Sequence, residues 1–161
     1  MTVLVPMSET EFAAYIDEAV PAYANDKVES GQWTKEASLQ LSRDGFNELL
    51  PQGLATPNNY LYTMRDDATQ MAVGMIWFAV QERAEKRIAY VYDVFVHAKY
   101  QRLGHATRAF RALEKEVRSR GLSGIALHVF GHNSAAQALY VKLGYRATNV
   151  SMFKDVEREG A

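Results

Sequence analysis

Residues Ile88–His97, IAYVYDVFVH, are apolar or aromatic at almost every position and at both parities. A strand of that kind must be covered on two faces, so it belongs inside a sheet rather than at its margin. One carboxylate, Asp93, interrupts it. The run ends in KYQRLGHATRAF, where a glycine stands at the start of a helical pattern: Ala106, Ala109, Phe110, Leu113 and Val117 recur on one helix face, and Gly121 closes it. A strand, a short glycine-bearing loop and a helix leave unpaired N–H groups at the helix start, and with the helix dipole these attract an anion. Gly104 removes a side chain there, Arg102 adds positive charge, and Ala106 keeps the first turn uncrowded. A pyrophosphate cradle fits, as does an ordinary turn that needs glycine for its geometry.

The rest of the chain supplies the layers. Ser8 with Glu11 reads as a capping box opening a helix to about Val28, with a kink or break expected near Val20 because Pro21 follows. A second helix is expected from about Thr34 to Leu50. The period then changes: YLYTMR and QMAVGMIWFAV read as strands joined at DDAT. After the glycine-opened helix come a strand, IALHVF, a helix capped by Asn133 and ended by Gly144, and an expected closing strand in RATNVSMFKDV. A meander followed by strand–helix–strand implies an α/β fold, a central mixed sheet with helices on both faces.

With 161 residues and no repeat or linker, this is one domain. The 18 basic and 19 acidic residues nearly cancel, which gives nucleic acid or an anionic membrane no electrostatic reason to bind. The absence of cysteine excludes disulfides and a thiol nucleophile. No apolar run is long enough to span a bilayer and the N-terminus lacks a signal-peptide pattern, so a cytoplasmic protein is expected. The motifs GxxxxGK[ST] and GxGxxG are absent, which argues against a P-loop or a dinucleotide site.

Two segments together resemble the GNAT acyltransferase superfamily. Gln101, Gly104 and Ala106 meet its Q/R-x-x-G-x-G/A loop, and Asn133, Ala136, Leu139, Tyr140, Lys142, Gly144 and Tyr145 meet its second signature. The resemblance covers about Ile88–Arg146; Ala106 and Arg102 stand where the family more often has glycine. It implies a single GNAT domain over residues 1–161, with an acceptor-side helical region to about residue 55 and an acetyl-CoA-binding core at about 86–146. The implied activity is acetyl-CoA-dependent N-acetylation of a primary amine, small-molecule or protein; the alternative is an acyl-CoA sensor without turnover. A homodimer is left open. Pantetheine would pair with the strand edge at Val94, Phe95 and Val96. Pyrophosphate would meet the amides of Gln101, Arg102, Leu103, Gly104, His105 and Ala106. Asn133 would contact the pantetheine arm and Tyr140 the sulfur.

Acetylating an amine requires removing its proton, an oxyanion donor (here expected at the Val94 or Phe95 amide) and a proton for the departing thiolate. Tyr140 is the candidate acid, or else a tyrosine of the core. Asp93 is the candidate base or ammonium ligand, or else a structural partner of a buried group, since a carboxylate in such a strand is costly unless paired or functional. Trp33, Tyr60 and Tyr62 are candidates for lining an acceptor pocket, and Asp17, Glu18, Asp26 and Glu29 for attracting a cation. His97, His105 and His128 show no metal-ligand spacing, and no metal is expected.

Overall fold

In the computed structural model, which describes residues 1–160, the capping box forms: Ser8 Oγ accepts from the Glu11 amide at 3.1 Å and Glu11 Oε1 from the Ser8 amide at 3.0 Å. Helix α1 then runs Glu9–Glu29 without the expected break. Pro21 forfeits a single backbone bond, and the helix is held on either side of it by burial of Ala19, Val20 and Ala24. The Ser42 hydroxyl, fully buried on helix α2 (Lys35–Leu49), donates to the Val20 carbonyl at 2.7 Å and ties the pair together.

Five strands follow the order β1 (Thr2–Pro6), β2 (Asn59–Asp66), β3 (Ala72–Arg83), β4 (Lys86–Val96) and β5 (Ile125–Leu127). The first four are antiparallel neighbours, and β4–β5 is parallel, joined through helix α3 (His105–Ser119). Helix α4 (Ser134–Lys142) begins at Asn133, whose Oδ1 accepts from the Ala136 amide. The α/β reading with a mixed sheet is therefore correct, and the expected inner strand lies between β3 and β5 at Ala89–Val91, with β3 alone beside it from there to Val96.

Alternation along β3 sorts the core. Ile76 and Phe78 meet Ala109, Phe110 and Leu113 of α3 on one face, and Met75 and Trp77 meet Tyr15 and Ala19 of α1 on the other. Each of these fully buried large side chains contributes about 1.5–3 kcal/mol by leaving water. Gly74 lets β3 and β4 close up, since a Cβ there would strike the Phe95 carbonyl.

Two expectations at the ends of the chain change. Residues 2–6, which carried no strand expectation, form β1 against β2. Residues 145–158 form no strand, and Val150, Met152, Phe153 and Val156 are exposed. Their alternation suits a strand, but strand propensity is a fit to a neighbouring pleated surface, and this chain does not place one against them.

Candidate active site

Strands β4 and β5 pair over three residues, Ala89↔Ile125, Tyr90↔Ala126 and Val91↔Leu127. Beyond Val91 the longer strand continues alone to Val96, so the two part and leave an open edge. A cleft of about 690 Å³ lies there, bounded by Tyr92–Phe95, by Leu127–Phe130, by Tyr140 of α4 and by Glu18, Tyr23 and Asp26 of α1.

A β-bulge determines what β4 presents to this cleft. The register shifts so that Trp77 opposes Asp93 while Phe78 opposes Val91, leaving Tyr92 as the extra residue. Ala89 and Val91 pack with the α3 side, and after the bulge that side receives Val94 and Val96. Asp93 has the parity of Ala89 and Val91, yet its side chain meets Tyr15 on the α1 side. Without the extra residue the carboxylate would be aimed into the α3 core.

Asp93 Oδ2 accepts from Tyr15 Oη at 2.6 Å, and its Oδ1 accepts from the Val94 amide at 3.0 Å. Burial raises the Asp93 carboxyl above its ordinary range, the two hydrogen bonds pull it back, and the charge of Asp26 adds to the rise. Tyr15, buried and stacked on Phe95 at 6.2 Å, has its hydroxyl pushed well above the usual value by burial and then by the charge of Asp93, so it remains a donor. The sequence reading sought a partner for Asp93 among Arg, His and backbone groups and missed Tyr15. The available signal was Tyr15 on the apolar face of a helix expected to cover the sheet.

Tyr140 packs edge-on against Phe110 at 5.5 Å and Tyr145 at 5.7 Å. Burial, followed by the charge of Asp93, pushes its phenol up to about 12. Its Oη has no protein hydrogen-bond partner among the described residues and is not sealed off. The hydroxyl is therefore protonated near neutrality and free to donate into the cleft that Asp93 also lines.

On the open edge, the His97 amide donates to the Val73 carbonyl, so by alternation the Phe95 amide also faces β3. Val94 and Val96 carry the outward amides, and that of Val94 is shared with Asp93. Of the two positions expected for an oxyanion donor, Val94 and Phe95, this leaves Val94.

At the loop, the amides of Arg102, Leu103, Gly104, His105, Ala106 and Thr107 have no protein acceptor among the described residues. Gly104 is the N-cap of α3 with φ +84°, and a Cβ on it would run into the Arg108 guanidinium. Arg102 also takes a positive φ, +61°, at a position where the family pattern favours glycine. Arg108, which the sequence did not single out, braces the loop: its Nη2 donates to the Leu103 carbonyl at 2.9 Å and its Nε to Thr2 Oγ1 at 3.0 Å. The Gln101 side chain donates to the Val96 carbonyl at 2.9 Å, tying the loop to the end of β4. The His105 ring is buried against Thr2, Nδ1 to Oγ1 at 2.9 Å, so only its amide is offered to a ligand.

The remaining candidates divide. Tyr60 and Tyr62 stack on Phe78 on the α3 face, away from the cleft, and Trp33 packs on Tyr23 outside the lining. The aromatic walls come instead from Tyr23, Phe46, Trp77, Tyr92 and Phe130. Glu18 and Asp26 face the cleft, whereas Asp17 and Glu29 do not line it. His97 and His128 pack on Phe95 and Phe130. His132, not weighed in the sequence, bridges to Asp26 at 3.0 Å and to Glu29 at 3.6 Å, joining the β5–α4 loop to α1 beside the cleft.

Comparison with known proteins shows the chain's family and its relatives. Residues 22–145 match the acetyltransferase (GNAT) family. The chain is 36% identical over 151 residues to YycN of Bacillus subtilis (strain 168), an uncharacterized N-acetyltransferase, covering 94% of this chain and 96% of that protein. It is 29% identical to a second uncharacterized N-acetyltransferase of that organism, YdgE, over 95% of this chain and 97% of the other. The crystal structure of YycN superposes with a TM-score of 0.93 at 34% identity, covering 98% of this chain and 100% of that one.

Proposed function

The chain belongs to the GNAT family of acetyltransferases, and on that premise we propose that it moves the acetyl group of acetyl-coenzyme A to a primary amine. The observation that carries this reading is the shared cleft: the Asp93 carboxylate and the free Tyr140 hydroxyl face one space, and the loop that follows the end of β4 carries six unengaged amides. The loop amides and the N-terminus of α3 suit a pyrophosphate, and the outward amides of Val94 and Val96 suit the amide-bearing arm of a pantetheine. The bound thioester would supply the activated acetyl group.

The chain's own groups then have separate tasks. An amine arrives as an ammonium, and Asp93, helped by Glu18 and Asp26, attracts it and accepts its proton directly or through water. Burial lifts the Asp93 carboxyl toward the range where it can hold a proton. Tyr140 donates a proton toward the departing sulfur. A phenol at about 12 is a weaker acid than an ordinary tyrosine, but it keeps its proton at every working pH. The aromatic walls and the three acidic groups favour an acceptor with an apolar body and a positive charge.

The test is release of free thiol from acetyl-CoA across amines of several classes, with Tyr140→Phe as control. Turnover with an amine is expected to fall ~10²-fold in the variant while cofactor binding persists. Tight coenzyme binding with no thiol release from any amine would instead favour a non-catalytic acyl-CoA sensor.

A further inference from the structure

Near its end, helix α1 meets the loop that leads from β5 into α4, and three side chains able to hold a metal ion come together there. Asp26 and Glu29 stand three residues apart on α1 and so share one helix face. His132 reaches them from the loop, its Nε2 at 3.0 Å from Asp26 Oδ1 and 3.6 Å from Glu29 Oε2. One donor atom of each residue lies within 4.8 Å of the other two. An ion pair accounts for only part of this. The Nε2 atom carries at most one proton, and the contact to Asp26 uses it. Glu29, at 3.6 Å, is beyond hydrogen-bond reach. No lysine or arginine among the described residues comes within 4.0 Å of either carboxylate. Lys27, between them in sequence, turns to Gln32 and lies over the rings of Tyr23 and Trp33. Two carboxylates therefore face a single imidazole, which carries one positive charge at most.

We propose that Asp26, Glu29 and His132 bind a divalent cation of the zinc type, which fastens α1 to the β5–α4 loop at the rim of the cleft. Donors around a tetrahedral zinc ion stand about 3.3 Å apart, given bonds of about 2.0–2.1 Å. The distances from His132 to the two carboxylates lie on either side of that spacing, and the Glu29 side chain, 65% exposed, is free to swing inward. Both sides of the site are held in place without the ion. The carboxylates ride on a helix. In the loop, the Asn133 amide donates to the Phe130 carbonyl, and Gln137 Nε2 donates to the carbonyls of Phe130 and Gly131 at 3.2 and 3.0 Å. The Phe130 ring stacks on His132 at 5.4 Å and orients the imidazole. Imidazole with carboxylates suits zinc better than magnesium or calcium, and three protein donors leave a fourth position for water. The expectation of no metal weighed His97, His105 and His128; His132 is the histidine that meets carboxylates. Asp26 also lines the cleft, so the cation would withdraw it from the groups that attract an ammonium.

The chain has no cysteine, so zinc bound through thiolate cannot confuse the measurement. The full chain, untagged and stripped with a chelator, is titrated with Zn²⁺ in competition with a chromophoric chelator. One ion per chain is expected. His132→Ala, Asp26→Asn and Glu29→Gln should each weaken it by more than the ~10-fold typical of losing an outer partner of a metal site, and His128→Ala should leave it unchanged. X-ray absorption at the zinc edge should show one imidazole nitrogen with carboxylate oxygens at about 2.0–2.2 Å. Zinc should also raise the Tm of the wild type and not that of His132→Ala, since an ion bound only by the folded chain stabilises it. A wild-type Kd weaker than ~100 μM overturns the proposal. So does an affinity that is the same in His132→Ala or Glu29→Gln as in the wild type, or one that His128→Ala lowers as much as they do.

Discussion

Tyr15→Phe removes one oxygen and leaves the ring in its packing against Phe95 and Phe46. Its consequence is therefore the loss of the 2.6 Å hydrogen bond to Asp93. A bond to an ionised carboxylate contributes about 1.5–3 kcal/mol, against about 0.5–1.5 kcal/mol when both partners are neutral. The native Asp93 carboxyl lies above its unfolded value because burial outweighs its two hydrogen bonds. Its contribution to stability is thus full below an unfolded value near 4 and lost as pH rises through the raised native value. Tyr15 opposes that loss by favouring the ionised form, and the variant gives up this protection. The deficit of Tyr15→Phe relative to wild type should be about 0.5–1.5 kcal/mol at acid pH and grow to about 1.5–3 kcal/mol near neutrality. The upper value is softened because Asp93 can retain its proton in the variant. Urea denaturation at a series of pH values measures both limits without any knowledge of the acceptor. A deficit that is flat with pH, or greatest in acid, would show that Asp93 does not change charge against Tyr15 and would refute the electrostatic account of the site.

Two further substitutions probe the chemistry and the cradle. Asp93→Asn should depress kcat/KM for the amine and recover mainly as rising pH supplies neutral amine from solution, as a pH–rate profile would show; a lower Tm with unchanged catalysis would make Asp93 structural. Gly104→Val places a β-branched residue at φ +84° and a Cβ against Arg108, so calorimetry should find acetyl-CoA bound more weakly by about 1–3 kcal/mol, and unchanged affinity in a folded variant would remove the loop from the binding site.

Much of this was legible because the signals were local. The capping box at Ser8, the cap at Asn133, the glycine opening α3 and the two-faced apolarity of β4 each depend on a few neighbouring residues, and each took the expected form. What was missed depends on pairing at a distance. Strand β1 exists because residues 2–6 find the edge of β2, about sixty positions away. Arg108 matters because it reaches Thr2 and the Leu103 carbonyl. Residues 149–156 have a strand's alternation with no partner in their own chain.

Asp93 shows most sharply how far local reading goes. The sequence marks it as the one carboxylate in an apolar strand, which suffices to suspect function. Plain alternation, however, would send it with Ala89 and Val91 toward α3, where no partner for it was in view. The extra residue at Tyr92 reverses that direction. One inserted position therefore does three things: it turns the carboxylate to Tyr15, it turns Val94 and Val96 to the α3 face, and it falls where β4 runs on past Leu127, the last residue of β5. A bulge is a property of two strands in register, so no inspection of β4 alone could locate it. What the sequence showed was a lone carboxylate in a strand apolar on both faces. A charged residue with the wrong parity for its solvated or paired face is a reason to expect a bulge beside it, and the bulge is what makes this carboxylate part of a site rather than a fault in the core.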